Sequence, residues 1–389
     1  MDKQKLKRNI PLTYLFEFGK NMGFTQAIWV TYLATKGLSL VEIGLCESVF
    51  HITSMMMELP TGMIADLYGR KISRLIGVIA NLIYLTLLFF VDGLPMALLA
   101  FVFCALSYNL ESGADTALVY DSLLALDQQD TFTRISGKRE IILQSASLIG
   151  VAVGGVLADQ DYRFAILGSI LLGVAVFLVG LRFFEAPYPR EKAEMRTMFA
   201  NQFMKPWKMV KKQPDLVFHM VLVAVVLSSV TTTHYYLTVH LKNIGYSLSM
   251  IGLLLLLQAV GAILGGYFAD RLKRRFDDAL LFRLFPWGIV FAIALAPTPF
   301  FPISLMMLGF SDSVLYVVLT NRVNRNIQSD ERATILSLNS MFFSIVMIAL
   351  FPIFGVFADR NGLPMAFFGL AILTGLVALA NGLKIRYRR

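Results

Sequence analysis

Charge is scarce in this chain. Only 16% of its 389 residues are Asp, Glu, Lys or Arg, against roughly 25% in an ordinary soluble domain. Hydrophobic residues make up 57%, and the mean hydropathy is +0.66. A single buried core stops growing near roughly 250–300 residues, so this composition excludes a soluble enzyme and points to lipid as the solvent. Cysteine is scarcer still: Cys46 and Cys104 lie in apolar runs without metal or disulfide spacing and read as packing residues. The four histidines have no metal-ligand spacing, and the chain has no Gly-x-Ser-x-Gly, His-x-x-x-x-Asp or phosphate-cradling glycine loop. The expectation is therefore no enzyme, no ATP motor, no metal and no cofactor. The 35 Lys and Arg exceed the 26 Asp and Glu but are scattered between apolar runs, without the basic-aromatic module of a nucleic-acid binder.

Long apolar runs are what the chain has in abundance. A helix needs about 20 mostly apolar residues to cross a bilayer, and twelve such spans are predicted: 11–35, 39–65, 73–92, 94–122, 140–159, 163–185, 215–241, 247–269, 277–297, 299–322, 332–358 and 363–385. The basic start, MDKQKLKRNI, runs straight into a span holding Glu17 and Lys20, with no small-residue cleavage site of a removable signal peptide. Basic residues mark the cytoplasmic side of a membrane protein. With the amino terminus inside, Lys36, Arg163, Lys242 and Arg360 fall outside, Lys20 falls within a span, and all the others fall inside, among them Arg70, Lys71, Arg74, Arg134, Lys138 and Arg139. Both termini are thus expected in the cytoplasm. A polar stretch at 186–214 separates six-span halves, 1–185 and 215–389, and reads as a cytoplasmic linker lying partly as an amphipathic helix on the inner leaflet.

Internal repeats set the architecture. Gly-x-x-Ala-Asp occurs at Gly62–Asp66, Gly155–Asp159, Gly266–Asp270 and Gly355–Asp359, each time closing the second helix of a three-helix unit. GLSLVEIGL at Gly37–Leu45 and GYSLSMIGL at Gly245–Leu253 precede the helices that carry the first and third copies. Those two copies run on into the basic tails LYGRK and RLKRR, whereas the other two continue as QDYRF and RNGLP. Three-helix units of alternating orientation form the nested inverted repeat of one class of secondary transporter.

The segment Gly62-Met-Ile-Ala-Asp66-Leu-Tyr-Gly69-Arg70-Lys71 resembles the signature loop between the second and third helices of the major facilitator superfamily. With the half-repeat at Gly266–Arg275, including Asp270 and Arg271, the resemblance covers the whole chain. It implies an all-α membrane fold of twelve helices in two pseudo-symmetric six-helix bundles, with a central cavity lined by the first, fourth, seventh and tenth helices. It also implies alternating access in a bacterial cytoplasmic membrane, by a monomer that handles a small molecule and meets lipid. Gly62 and Gly69 suit close helix approach and a tight turn, Asp66 suits a helix amino end, and Arg70 can pair with Asp121; the resemblance makes Asp66, Arg70 and Asp121 a conformational latch. Family drug–proton exchangers carry a glycine-rich fifth helix, matched in part by Gly137, Ala146, Gly150, Val151, Gly154 and Gly155, with Ala and Val replacing a Gly and the Pro. Their fourth-helix Arg is replaced by Asn109, four residues before Gly113.

Ionisable side chains at bilayer depth cost roughly 2.5–3.5 kcal/mol each on insertion scales and mark function by default. Glu17, Lys20 and Asn21 fall midway along the first span, with Glu17 and Lys20 at i, i+3. Glu111 and Asp115 are expected on one helical face with Tyr108, so acids outnumber the base. Burial favours a neutral carboxyl and a nearby Lys an ionised one. The cluster reads either as a proton-coupling site or as a static ion-pair network. Glu47 and His51, at i, i+4, form a further inward pair, with Glu58 before Pro60 as a hinge or latch. Thr231, Thr232, Thr233, His234, Tyr235 and Tyr236 interrupt the seventh span, and Asp312 with Tyr316 the tenth; hydroxyls, rings and a carboxylate suit an amphipathic, cationic ligand. The leading expectation is proton-coupled efflux of amphipathic compounds, and the alternative is uptake or uniport of a small polar nutrient.

Overall fold

The computed structural model describes residues 3–186, 214–326 and 329–386, and the described residues are helical with no strand. The linker expected at 186–214 lies almost wholly outside them. The helices are α1 (Lys3–Asn21), α2 (Trp29–Thr35), α3 (Leu40–Tyr68), α4 (Arg70–Phe89), α5 (Leu94–Glu111), α6 (Ala114–Leu124), α7 (Phe132–Gln160) and α8 (Tyr162–Gly180). After the linker come α9 (Pro214–Asn243), α10 (Leu248–Arg275), α11 (Asp278–Leu295), α12 (Phe301–Asn326), α13 (Ser329–Asn361) and α14 (Leu363–Arg386).

Among the described residues, eleven helical segments are long and apolar enough to cross a membrane. The remaining expected span, 11–35, is a broken pass: α1 ends at Asn21 and helix resumes only at Trp29. Lipid tolerates non-helical backbone only where protein satisfies its polar groups. Here Ser169 accepts from the Phe24 N–H at 3.1 Å, and Gln26 donates to the Asn21 carbonyl at 3.1 Å. The fifth-helix glycines explain why the break fits, since a Cβ at Gly150 or Gly154 would run into the backbone of Met22–Phe24. Gly137, by contrast, has no neighbour within 4 Å of a Cβ. The fourth pass is also broken, at Ser112–Gly113, where Gly113 takes φ +80°.

By its contacts the chain forms two compact units. The first contains α1, α2, α3 from Val49 onward, α4 to α8, and Ser247–Gly252. The second contains Ser39–Ser48, α9, α10 from Leu253 onward, and α11 to α14. The first unit has an apolar centre of Phe16, Val78, Leu118, Val176 and Phe183. In the second, Gly261 and Gly265 let α10 lie against the backbone of Met306 and Phe310 on α12, while Gly309 admits the Gln258 carbonyl in return. Small residues are the usual means of close helix approach in lipid.

Prolines within helices leave orphan carbonyls four residues back. Two are taken up by polar side chains of the same unit. Asn381 donates to the Phe282 carbonyl, freed by Pro286, at 2.7 Å, and Ser48 donates to the Ile348 carbonyl, freed by Pro352, at 2.8 Å.

Candidate functional site

The first unit holds a buried ion network at its centre. Arg74 on α4 has no solvent exposure; its Nη2 lies 2.8 Å from Glu17 and its Nε 3.3 Å from Glu111. The guanidinium stacks over Phe16 at 4.2 Å and Phe183 at 5.0 Å. Arg139 on α7 joins Glu17 at 3.1 Å to Asp115 at 2.7 Å, and Lys20 reaches Glu111 at 3.3 Å. Asn21 donates to the Glu17 carbonyl and to its carboxylate. Gly77 leaves the room into which Glu111 reaches, because a Cβ there would sit 3.3 Å from the Glu111 side chain. Three carboxylates therefore face three cations, and Glu111 Oε1, Arg74 Nη1 and Arg139 Nε are buried without hydrogen-bond partners.

This arrangement corrects three expectations. Acids do not outnumber bases, because Arg74 and Arg139 are buried in helices and not in cytoplasmic loops: α4 begins at Arg70 and α7 at Phe132, so both arginines fall inside helix. Lys20 pairs with Glu111, not with Glu17. Glu111 and Asp115 do not share a helical face, since the break at Ser112–Gly113 separates them, and they join only through the arginines. Asn109 exchanges hydrogen bonds with Ser54 of α3, both at 2.7 Å, as a clamp between helices, and Tyr108 is exposed with its ring near Phe50. Glu47 and His51 are both buried on α3, and Glu58 is exposed.

The second unit contains a cavity of about 370 Å³, lined by Leu227, Val230, Thr231, His234, Tyr235, Gln258, Asp312, Tyr316 and Phe343. His234 Nδ1 lies 2.7 Å from Gln258 Oε1, so this ring nitrogen carries the proton and donates. Among the described residues no cation pairs with the Asp312 carboxylate. Gln258 faces the cavity because Gly309, one turn before Asp312, admits its backbone. Thr231, His234, Tyr235, Asp312 and Tyr316 are brought together in this one cavity. Thr232 and Tyr236 are not: both are fully buried, and the Tyr236 hydroxyl donates to the carbonyls of Leu40 at 2.9 Å and Phe351 at 3.2 Å. Gln258 and Phe343 were missed because each is a single residue in an apolar run.

At the signature loop, Asp66 pairs with Arg70 at 2.7 Å, and Arg70 Nε lies 3.9 Å from Asp121. The amino end of α4 is capped by Glu185, not Asp66: its carboxylate accepts from the N–H groups of Arg70 at 2.7 Å and Lys71 at 2.9 Å. Lys71 Nζ donates to the Leu181 carbonyl at 2.8 Å. Gly69 is required there, with φ +108° and the Glu185 carboxylate where a Cβ would stand. Gly62 makes no close approach, since nothing lies within 4 Å of its Cβ position, and Gly266 faces Ser313 at 3.4 Å. In the third copy Asp270 pairs with Arg274 at 2.7 Å, while Arg271 stacks over Tyr267 and Phe268, so Arg274 is the counterpart of Arg70.

The family model of the Major Facilitator Superfamily matches residues 12–277 and 242–388. The chain belongs to this superfamily. It is 25% identical over 368 residues to the "Uncharacterized MFS-type transporter YxaM" of Bacillus subtilis, covering 91% of this chain and 90% of that protein. Similarity also extends to the "Quinolone resistance protein NorA" of Staphylococcus aureus, 22% identical over 276 residues, 70% of this chain and 68% of NorA. The crystal structure of the nucleoside transporter NupG matches with a TM-score of 0.78 at 15% identity, over 98% of each chain, and so shares the fold. The protein is a multi-pass membrane transporter of the superfamily and not an enzyme.

Proposed function

We propose that this superfamily member expels amphipathic, cationic small molecules in exchange for protons by alternating access. It would do so as a monomer without cofactor, in a bacterial cytoplasmic membrane with both termini cytoplasmic. The observation that carries the reading is the cavity around Asp312, a carboxylate with no cation partner among the described residues, set among Tyr235, Tyr316, Phe343 and Thr231. Aromatic faces attract a desolvated cation by about 2 kcal/mol or more. A carboxylate in such a setting is neutralised by a ligand's positive group or by a proton, and not by both at once. That competition is what an exchanger needs, because the arriving proton displaces the departing ligand. In the first unit Glu17, Glu111 and Asp115 are each held by cations, and of their oxygens Glu111 Oε1 is buried without a hydrogen-bond partner, which makes this cluster the second candidate for proton coupling. The similarity to NorA, a quinolone resistance protein, supports the outward direction.

The alternative, uptake of a small polar nutrient, is favoured by the His234–Gln258 pair and Thr231, which suit a hydroxylated ligand. Ethidium separates the two readings. Cells with an imposed outside-acid pH gradient accumulate less dye when the transporter is expressed, and Asp312→Asn abolishes the difference. Raised accumulation, or an Asp312→Asn variant that exports like the wild type, refutes the proposal.

A further inference from the structure

The polar atoms of the Asp312 cavity divide by hydrogen-bond role, and the second unit alone supplies them. On α9, His234 donates its Nδ1 proton to Gln258 Oε1 at 2.7 Å, so Nε2 keeps a bare lone pair. Nε2 has no partner among the described residues and is not one of their sealed, partnerless atoms; it opens onto the cavity that its ring lines. One turn earlier, Thr231 donates its hydroxyl proton to the Leu227 carbonyl at 3.1 Å, which leaves its oxygen to accept. The ionised Asp312 carboxylate can only accept. Against these acceptors the lining sets the Gln258 amide nitrogen as its fixed donor, since the hydroxyls of Tyr235 and Tyr316 serve in either role.

Water can meet the Nε2 lone pair in an open cavity. A bound ligand excludes that water, and the lone pair is then costly unless the ligand itself brings a donor. The imidazole is not free to swing away, because Gln258 holds one edge and the Tyr235 ring packs edge-on against it at 5.2 Å. A neutral polyol would satisfy Nε2 but leave Asp312 without a countercharge. A quaternary ammonium would do the reverse.

Resting on the cation reading of this same cavity, we infer that its ligands are cations carrying their own N–H donors, such as protonated amines, amidinium groups and amino-substituted aromatic cations, and that His234 Nε2 is the acceptor that selects them. Asp312 sets the charge of the ligand. His234 sets the chemistry of its head group.

The test compares two dyes of equal charge. Acriflavinium, a diamino-N-methylacridinium, and the N-methylated cation of acridine orange share one ring system and one permanent positive charge, but in the second dye methyl groups replace every amine N–H. Each is titrated by fluorescence into the purified full-length transporter. The wild type binds acriflavinium about tenfold tighter, the discrimination expected when an analogue leaves a hydrogen-bonding atom of the site unpaired. His234→Phe keeps a ring without an acceptor and brings the ratio to about twofold or less by weakening acriflavinium. His234→Gln, whose amide oxygen reaches close to the Nε2 position, restores most of it. A loosened fold would weaken both dyes together and leave the ratio alone. Equal affinities in the wild type, a ratio that survives His234→Phe, or a ratio lost because the methylated dye binds tighter would overturn the inference; the last would mean a steric filter. Asp312→Asn weakens both dyes alike with the ratio intact. If it weakens neither, the cation reading falls and the role of His234 with it; if it weakens both while His234→Phe changes nothing, only the role of His234 falls. Should His234→Phe fail to reach the membrane, His234→Asn carries the same comparison, since its amide can still donate to Gln258 and no atom stands at the Nε2 position.

Discussion

Arg74 offers the sharpest test of the buried network. It is fully buried, touches two carboxylates at 2.8 and 3.3 Å, and lies over the adjoining rings of Phe16 and Phe183. Arg74→Met keeps much of the volume but leaves two cations to balance three carboxylates. Removing one partner of a buried pair costs about 3–5 kcal/mol. The lower end applies here, because Glu17 retains Arg139 at 3.1 Å and Glu111 retains Lys20 at 3.3 Å. At about 2–4 °C per kcal/mol for a unit of this size, roughly 3 kcal/mol lowers the midpoint by about 6–12 °C. A thiol-reactive dye reads this directly, since Cys46 is buried until the fold opens. Adding Glu111→Gln restores charge balance, with Glu17 and Asp115 facing Lys20 and Arg139, and recovers at least half of the loss. Lys20→Met, at a position 28% exposed, loses less than Arg74→Met because solvent screens the change. A shift within about 2 °C for Arg74→Met, or simple additivity with Glu111→Gln, would refute the claim that these side chains form one charge-balanced unit.

Two further outcomes follow from the packing. Gly309→Ala forces a methyl onto the Gln258 carbonyl and destabilises by about 1–3 kcal/mol, with weakened ethidium binding by fluorescence titration, whereas Gly62→Ala, with open space at its Cβ, leaves thermal stability unchanged. Glu185→Gln removes the anion from the start of α4 and lowers stability by about 0.3–1 kcal/mol; a loss in thermal scanning larger than that of Arg74→Met would show that the cap, and not the buried network, dominates the first unit.

Much of the fold was legible because lipid permits little choice. Every spanning backbone must satisfy itself, so apolar runs reveal the passes, and the Gly-x-x-Ala-Asp copies reveal the repeat. Helix starts were the weak point. Arg74 was counted with the cytoplasmic residues although it falls just inside the expected span 73–92, and Arg139 fell one residue before the span expected from 140, whereas the helices begin at Arg70 and Phe132. Extending the helices by three and eight residues at their starts thus encloses both arginines, and two topological markers are the cations of the buried site. The breaks at Met22–Ile28 and Ser112–Gly113 were hidden for a related reason, since hydropathy averages across a glycine that only backbone geometry reveals.

On α9 the missing information was present but averaged away. Successive residues on a helix turn by about 100°, so six consecutive polar side chains cannot face one cavity. Thr231, His234 and Tyr235, at i, i+3 and i+4, share the cavity face, while Thr232 and Tyr236 turn into packing. Tyr236 then carries a different task, donating to the carbonyl of Leu40, whose N–H is bound by Asp359. The cavity face and the contact with α3 therefore occupy adjacent sides of one helix turn, with Tyr235 in the cavity and Tyr236 on the Leu40 carbonyl.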